Sequence, residues 1–207
     1  MAPARTSGTE GYAEEADALV AQYEGVRFAD VHREVLHLIP PAPCHMLDIG
    51  SGTGRDAAAF AAMGHAVVAV EPTAELRTRA MALHPSPRIE WLDDGLPDLA
   101  RLAGREGGFD VAMLTAVWMH LDEGQRGRAM PRVARLLRDG GVAVFCLRHG
   151  PVPPGRRMFD VPAEETVALA AAEGLGLALR LDKQAGARWR PGVRWTRLAF
   201  SKAGGAA

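Results

Sequence analysis

The stretch "MLDIGSGTG", residues 46–54, places three glycines at alternate positions directly after a short apolar run that contains one acidic residue. Such a run, followed by glycines and then by a helical pattern, is typical of a parallel strand that turns into a helix. Glycine has no Cβ atom, so the chain can turn tightly there and a bound molecule can approach the main chain. The stretch therefore predicts an α/β fold with a ligand at the end of its first strand.

Strand and helix patterns alternate along the chain after the glycines. The apolar runs "AVVAV", "RIEWL", "FDVAMLT" and "VAVFCL" predict further strands, and helical patterns lie at "RDAAAFAAMG", after a capping Thr73, at "PRVARLLRDGG" and at "PAEETVALAAAEG". Pro131 is expected to kink its helix or to mark where that helix starts. "LGLALRL" and "VRWTRLAF" predict a closing antiparallel hairpin at the sheet edge. The order predicts a mostly parallel sheet with helices on both faces.

Two helical patterns, "YAEEADALVAQY" and "FADVHREVLHLI", precede the first strand, and "PPAP" ends the second of them. We therefore expect three segments. Residues 1–43 form an N-terminal helical cover, residues 44–203 form one compact α/β unit, and residues 204–207 form a disordered tail.

The charge balance, the apolar runs and the cysteine spacing argue against nucleic-acid-binding, membrane-spanning and metal-binding proteins. The net charge is −1, from 24 basic and 25 acidic residues, so the sequence lacks the basic excess of a nucleic-acid binder. No apolar run approaches the ~18 residues of a membrane-spanning helix, and "MAPARTSGTEG" has no apolar signal-peptide core. Cys44 and Cys146 lack C-x-x-C spacing, which favours free thiols and no metal site. We expect a cytoplasmic protein without nucleic-acid or membrane partners; the sequence gives no indication of oligomeric state.

The glycine spacing distinguishes between two cofactor classes. A dinucleotide loop reads G-x-G-x-x-G, but counting from Gly50 places Arg55 at the third glycine position. Asp48, two residues before Gly50, is a poor neighbour for a pyrophosphate and a better one for a cation. The loop therefore favours a ligand with ammonium and sulfonium groups.

These residues also carry a family resemblance. "LDIGSGTGR" resembles the first motif of class I S-adenosylmethionine-dependent methyltransferases, and "VVAVEP", "IEWLDDGLP", "FDVAMLTAVWMHL" and "LLRDGGVAVFCL" resemble the later motifs in the family's order. Together they cover about residues 46–148. The resemblance implies a Rossmann-like fold with a mostly parallel seven-stranded sheet, S-adenosylmethionine as cofactor and S-adenosylhomocysteine as product.

The resemblance also implies roles for single residues. Asp48 would reach the methionine ammonium, Glu71 would accept both ribose hydroxyls, and Asp93, with Asp94 as its competitor, would receive the adenine amino group beside Leu92. The expected cofactor-binding residues are Asp48, Gly50, Ser51, Gly52, Gly54, Arg55, Glu71, Pro72, Leu92, Asp93, Asp94, Thr115 and Ala116.

The acceptor side is less specific. His120 follows the fourth strand and is either a general base or a structural residue, and Trp118 either supports the loop or contacts substrate. The segment "LRHGPVPPGRRMF" is either an anion-binding loop or a solvated one. The expected substrate residues are Tyr12, Trp118, His120, Arg148, His149, Arg156 and Arg157.

The sequence thus predicts methyl transfer to a small-molecule acceptor. Four alternatives stay open: a protein or RNA methyltransferase, an enzyme that cyclises or otherwise consumes S-adenosylmethionine, a non-catalytic cofactor-binding regulator, and, least favoured because of Arg55, a dehydrogenase. Neither the acceptor nor its methylated atom is encoded in a readable pattern.

Overall fold

The computed structural model describes residues 7–184 and 192–204. Residues 205–207 of the predicted disordered tail and residues 185–191 of the final loop lie outside the described residues. The helices are α1 Ala16–Glu24, α2 Phe28–His32, α3 Arg55–Ala62, α4 Ala74–Leu83, α5 Glu123–Leu136 and α6 Ala163–Ala172, and short 3₁₀ helices lie at Leu36–Leu38, Ala100–Leu102 and Trp118–His120. The strands are β1 His45–Ile49, β2 Ala66–Val70, β3 Ile89–Leu92, β4 Phe109–Thr115, β5 Leu137–His149, β6 Leu175–Gln184 and β7 Arg194–Lys202.

The seven strands form one sheet in the order β3-β2-β1-β4-β5-β7-β6. Strands β1 to β5 are parallel, and β7 runs antiparallel between β5 and the edge strand β6. This architecture confirms the predicted Rossmann-like, mostly parallel seven-stranded fold. In the register of the central strands, Asp48 lies opposite Met113, and Thr115 lies opposite Cys146. The carboxyl ends of β1, β4 and β5 therefore meet at one edge, where sheets of this kind bind ligands.

Each face of the sheet carries its own apolar core. Leu47 and Leu114 point into the core that is covered by α5 and α6, whereas Met46 and Met113 point into the core that contains residues of α2 and α3. Neighbouring residues of a strand point to opposite faces, which explains this division. Asp48 shares the face of Met46, so its carboxylate lies on the α2 and α3 side.

The second N-terminal helix is shorter than predicted. It ends at His32, and a turn and a 3₁₀ helix replace the rest of the expected pattern. The carbonyl of Val31 accepts a hydrogen bond from the Arg197 guanidinium of β7, and the Val35 amide bonds the carbonyl of His32 at 2.8 Å instead. The side chain of a distant strand thus contributes to the end of this helix.

Helix α5 begins well before Pro131, so the expectation that this proline could mark its start was wrong. The Asp122 carboxylate accepts from the Gln125 amide at 2.8 Å, and the Gln125 side chain accepts from the Asp122 amide at 2.9 Å. This reciprocal cap satisfies two amides that a helix start leaves unpaired. Among the described helices, none combines the length and the apolar character needed to cross a membrane.

Candidate cofactor and acceptor site

The glycine loop lies between β1 and α3, and its three glycines adopt left-handed backbone angles. The φ values are 71° at Gly50, 57° at Gly52 and 84° at Gly54. A Cβ atom on Gly50 would lie 2.4 Å from Val117 Cγ2, and one on Gly54 would lie 2.5 Å from Trp91 Cη2. At Gly52, no heavy atom of the described residues lies within 4 Å of that position. Two glycines therefore allow close packing, and Gly52 borders open space.

Glu71 follows the end of β2 and is buried beside this space. One carboxylate oxygen accepts from the Gly52 amide at 2.9 Å, and the other accepts from the Thr73 amide at 2.8 Å. Burial raises the pKa of Glu71, and the hydrogen bonds from Thr73 and Gly52 oppose that rise. Thr73 stands at the start of α4 as predicted, but its side chain forms no capping bond. Each carboxylate oxygen has two acceptor sites, so Glu71 can still accept a ligand hydroxyl.

Asp48 is buried at the end of β1, with 1% of its surface exposed. Burial, and then the neighbouring Asp56 carboxylate, raise its pKa well above the ordinary value. Within the described ranges, Asp48 Oδ2 and the hydroxyl of Ser51 have no hydrogen-bond partner. Buried polar atoms without partners are rare in folded proteins, so these two atoms need a ligand or water.

The observations around the loop fit S-adenosylmethionine. The open space at Gly52 accommodates ligand atoms, Glu71 offers acceptors to hydroxyl groups, and the unpartnered oxygen of Asp48 offers one to an ammonium. The site is thus suited to a ligand that carries both hydroxyls and a cation.

The two acids proposed for adenine have different environments. Asp94 accepts from the amides of Gly95, Ala100 and Arg101 at 2.7–3.2 Å, which fixes the turn after β3. Asp93 is more exposed and accepts from the Arg77 guanidinium at 3.0 Å. Because Asp94 already has three amide donors, Asp93 is the better candidate. Of the remaining predicted residues here, Leu92 ends β3 and accepts from the Glu71 amide at 3.1 Å, and Pro72 links Glu71 to α4.

The end of β4 holds two further predicted residues. The Thr115 hydroxyl donates to Asp56 Oδ2 at 3.3 Å, and Ala116 has a φ of 59°. A positive φ is uncommon for a residue with a Cβ atom and is found preferentially at functional sites. The Ala116 amide is held by the Cys146 carbonyl of β5 at 3.0 Å, which fixes this backbone turn.

A buried cluster of hydrogen bonds around the Asp56 carboxylate, next to these residues, was not predicted from the sequence. His32 Nε2 lies 2.7 Å from Asp56 Oδ2, and Arg55 Nε donates to Asp56 Oδ1 at 2.7 Å. Although burial acts to raise it, hydrogen bonds from His32 and Arg55 hold the pKa of Asp56 below its ordinary value. Arg55, a predicted cofactor residue, also donates to the Tyr23 carbonyl at 3.4 Å. In the sequence, this contact is indicated only by His32 and Asp56, which are polar residues within two otherwise apolar helical patterns.

The N-terminal segment makes several contacts with the site. The Thr53 hydroxyl of the glycine loop donates to Glu24 Oε1 at 2.5 Å, at the end of α1. Upstream, the Tyr12 hydroxyl lies 3.0 Å from His120 Nε2, and Glu15 forms an ion pair with Arg156 at 2.6 Å. The segment therefore contacts both the glycine loop and the loops on the acceptor side.

His120 is buried in the 3₁₀ helix after β4. Its Nδ1 lies 2.7 Å from the carbonyl of Arg157, and its Nε2 faces the Tyr12 hydroxyl. Burial lowers the pKa of His120 below its ordinary value, so the imidazole is neutral at neutral pH. Trp118, two residues earlier, is fully buried and packs edge-on against Phe145, with ring centroids 5.0 Å apart. Trp118 thus supports the loop here and presents no ring face to a substrate.

The three predicted arginines, Arg148 at the end of β5 and Arg156 and Arg157 after it, have protein partners. Arg156 pairs with Glu15 and lies 4.2 Å over the Tyr12 ring, and Arg157 donates to Asp122 at 3.0 Å and to the His120 carbonyl at 3.1 Å. Arg148 donates to the Pro151 carbonyl at 2.7 Å. These contacts place Arg156 and Arg157 between the N-terminal segment and the loop after β4.

A small cavity of about 80 Å³ lies beyond the end of β5. His149, predicted as a substrate residue, bonds the Thr196 hydroxyl there at 3.0 Å. The cavity is lined by Arg148, His149, Gly150, Val152, Met158, Phe159 and Asp160. Within residues 7–184 and 192–204, no three His, Cys, Asp or Glu side chains are arranged to hold a metal ion.

Comparison with known protein families decides the assignment. Residues 46–141 match the family model described as a methyltransferase domain. Residues 46–141 therefore form a class I S-adenosylmethionine-dependent methyltransferase domain. The matched range of this methyltransferase contains the glycine loop, Glu71, Asp93 and His120. Tyr12 and the arginines after β5 lie outside it, so the acceptor side is partly built from segments beyond the matched range.

The curated relatives of this chain include uncharacterized methyltransferases. An uncharacterized methyltransferase of Mycobacterium tuberculosis is 30% identical over 129 residues, which are 59% of this chain and 47% of that protein. The chain thus spans about half the length of the curated relatives it matches.

Two solved structures share the fold. One is a 1,6-didemethyltoxoflavin N1-methyltransferase from Burkholderia thailandensis with 1,6-didemethyltoxoflavin and S-adenosylhomocysteine bound. It is 20% identical with a TM-score of 0.64, and the match covers 98% of this chain and 93% of that one. The other, a TehB-like methyltransferase from Corynebacterium glutamicum, is 22% identical with a TM-score of 0.65, covering 92% and 96%. At these identities the likeness concerns the fold.

Proposed function

We propose that this protein transfers the methyl group of S-adenosylmethionine to a small-molecule acceptor. The observation that carries the proposal is the arrangement of the glycine loop: open space at Gly52 is bordered by the buried carboxylate of Glu71, and Asp48, with an unpartnered oxygen, ends the strand that leads into this loop. A dinucleotide would place a pyrophosphate near Asp48, where two negative charges would repel each other.

Each residue has a separate task in binding the cofactor. Glu71 accepts hydrogen bonds from the ribose hydroxyls, Asp48 from the methionine ammonium, and Asp93 from the adenine amino group. When bound, S-adenosylmethionine supplies a methyl group that is activated by the positive sulfur. Methyl transfer is an in-line displacement, so the main task of the protein is to hold the acceptor at attack distance from that carbon.

The acceptor would bind beyond the ends of β4 and β5. Arg148 and His149 lie two and three residues beyond Cys146, the partner of Thr115 in the sheet register. They line the cavity together with Met158 and Phe159, so a small ligand with an apolar body and one anionic group suits it. We assign the anion contact to Arg148 and His149 because both line this cavity, although Asp160, 3.5 Å from His149 Nδ1, lines it as well.

Two observations support a small acceptor over a macromolecular one. The net charge of −1 gives no electrostatic basis for binding RNA. The structurally similar Burkholderia enzyme holds 1,6-didemethyltoxoflavin, a small molecule, together with S-adenosylhomocysteine.

The proposal is tested in two steps. Calorimetric titration compares S-adenosylhomocysteine with NAD, and we expect only the first to bind. Incubation with S-adenosylmethionine, alone and with a panel of small acceptors, is then followed by mass spectrometry. A methylated product with S-adenosylhomocysteine supports methyl transfer, whereas methylthioadenosine without any acceptor would show that the cofactor itself is cyclised. Binding of NAD in preference to S-adenosylhomocysteine would overturn the assignment of the site.

A further inference from the structure

Residues 7–15, which we call the N-terminal strap, lie directly against the 3₁₀ helix after β4 and the loop after β5. A Cβ atom on Gly8 would lie 3.0 Å from His120 Cβ, and one on Gly11 would lie 2.2 Å from Arg156 Nη1. Both glycines have a positive φ, of 96° and 76°. The strap can approach this closely only because glycine stands at both positions, and the approach brings Tyr12 to His120.

The hydrogen bonds of His120 fix where its proton lies. A carbonyl oxygen only accepts, so the 2.7 Å contact with the Arg157 carbonyl requires a proton on Nδ1. In the neutral imidazole, Nε2 is then unprotonated and accepts a hydrogen bond from the Tyr12 hydroxyl, whose oxygen lies 3.0 Å away. The Tyr12 oxygen keeps its own lone pairs, which can accept from the nearby Arg156 guanidinium and from a further donor. Carbonyl, imidazole and phenol thus form a directed chain that ends at the Tyr12 oxygen.

Tyr12 is close to His120 and also to groups beside the cofactor loop. Its ring is edge-on to His120, with centroids 5.5 Å apart, and the Arg156 guanidinium covers it at 4.2 Å. Glu71 and Tyr23 are among the groups close enough to act on its hydroxyl electrostatically. The charged groups that face His120 are Glu10 of the strap, Arg156 of the segment that follows β5, and Arg148 at the end of β5.

We propose that Tyr12 and His120 form a proton relay that deprotonates the acceptor during methyl transfer. This inference rests on the proposed function. The acceptor atom forms a bond to the methyl carbon, the carbon–sulfur bond breaks, and its electron pair stays on sulfur. The acceptor proton passes to Tyr12 Oη while the Tyr12 proton passes to His120 Nε2. The resulting imidazolium keeps its Nδ1 proton on the Arg157 carbonyl, and the relay returns this proton to water after product release.

The relay specifies a class of acceptor. It is useful only for an atom that carries a proton to be removed, such as the oxygen of a phenol or enol, or the N–H of a heterocycle. A thioether, a tertiary amine or a pyridine-type nitrogen loses no proton on methylation. Tyr12 is the catalytic residue in this scheme, because its hydroxyl would contact the reacting atom of the acceptor while the rest of the acceptor lies in the cavity at Arg148 and His149. His120 acts through Tyr12.

The proton positions can be tested without knowing the acceptor. The protein has seven histidines, so the His120 signal must first be assigned in ¹⁵N spectra of histidine-labelled protein. It is the signal that disappears in His120→Gln, and His45→Gln, at an exposed position, is the control. In the S-adenosylhomocysteine complex at pH 7, we expect a neutral ring with its proton on Nδ1. In Tyr12→Phe the Nε2 atom loses its donor, so its signal should move and the ring should take up a proton at a higher pH. A proton on Nε2, or an unchanged His120 signal in Tyr12→Phe, would overturn the relay.

The kinetic test uses the acceptor found with the wild-type protein. Tyr12→Phe and His120→Gln should each lower kcat about 100-fold or more, the lower range of general-base catalysis. The affinity for S-adenosylhomocysteine should stay within about twofold of wild type, and the melting temperature within a few degrees. The wild-type rate should fall as His120 becomes protonated below neutral pH, and His120→Gln should lose this limb. Unchanged kcat in Tyr12→Phe, or an acceptor without a dissociable proton, refutes the relay alone. Failure of the wild-type protein to bind S-adenosylhomocysteine refutes the proposed function instead.

Discussion

His32 Nε2 lies 2.7 Å from Asp56 Oδ2, and both side chains are almost fully buried. The same carboxylate accepts from Arg55 and from the Thr115 hydroxyl. One ionised group therefore ties the second N-terminal helix, the helix after the glycine loop and the end of β4 together. Removing one partner of a buried charge pair leaves the other charge uncompensated, which is strongly destabilising.

We expect Asp56→Asn to lower the free energy of unfolding by about 3–5 kcal/mol at pH 7. Because the pKa of folded Asp56 is depressed, its stabilisation is present above the unfolded value of about 3.9 and is lost as the pH falls through the folded pKa. Urea unfolding between pH 3 and pH 7 should therefore show a smaller pH dependence in the variant. Asp30→Asn, in an exposed pair on α2, the helix that carries His32, is the control and should change stability by less than about 1 kcal/mol. Equal effects of the two substitutions would contradict the role of Asp56.

The sequence predicts those parts of the molecule that depend on local patterns. The five parallel strands follow from short apolar runs, and the glycine loop with Glu71 follows from fixed spacing along the chain. What it misses are contacts between residues far apart in the chain. His32 meets Asp56, and Tyr12 meets His120 across 108 positions, because tertiary packing brings the N-terminal segment onto the sheet.

The acceptor side shows the same limit. The sequence predicts that four basic residues at the end of the fifth strand and in the following segment could form one anion site. The structure gives Arg156 a partner on the N-terminal segment and Arg157 a partner in Asp122, which caps α5. Glu15 and Asp122 are unremarkable surface acids in the sequence. Only the folded chain shows that they pair with these two arginines while Arg148 and His149 line a cavity.

Gly52→Ala tests whether the open space beside the loop belongs to the cofactor. Gly52 has a φ of 57° and Gly104 a φ of 82°, and neither position has a heavy atom of the described residues within 4 Å of an added Cβ. Alanine should therefore destabilise the protein by about 1–2 kcal/mol at either position, because of the left-handed backbone. Only Gly52→Ala should also weaken S-adenosylhomocysteine binding, by about tenfold or more. Calorimetric titration of both variants measures this difference, and matching affinities would place the ligand elsewhere.

Glu71→Ala should weaken S-adenosylhomocysteine binding by about 2–4 kcal/mol, since two hydroxyl donors lose a charged acceptor. The amides of Gly52 and Thr73 would lose the same acceptor, so thermal unfolding of the unliganded variant is measured alongside. Glu75→Ala, an exposed position on α4, is the control and should leave the affinity unchanged. An affinity within twofold of wild type in Glu71→Ala would remove Glu71 from the site.

Asp48→Asn should stabilise the unliganded protein at neutral pH and weaken its binding of the cofactor. The pKa of folded Asp48 lies above the unfolded value, so its contribution to stability is fully present below about pH 3.9 and is lost as the pH rises through the folded pKa. Above that pH, the wild-type protein holds a buried charge whose Oδ2 has no partner within the described residues. Asparagine avoids this charge, so the stability difference in favour of the variant should grow as the pH increases.

Cofactor binding reverses the balance, because the ammonium of the ligand pairs with ionised Asp48 and lowers its pKa. Wild-type protein should therefore release a proton when S-adenosylhomocysteine binds, and its affinity should rise with pH over the range where unliganded Asp48 is protonated. Calorimetry in two buffers with different ionisation enthalpies measures this proton, and Asp48→Asn should release less of it. Thermal unfolding with and without ligand completes the comparison: the variant should unfold at a higher temperature alone and gain less from the ligand. A variant that is less stable than wild type at pH 8 and retains full affinity would show that Asp48 is a structural residue.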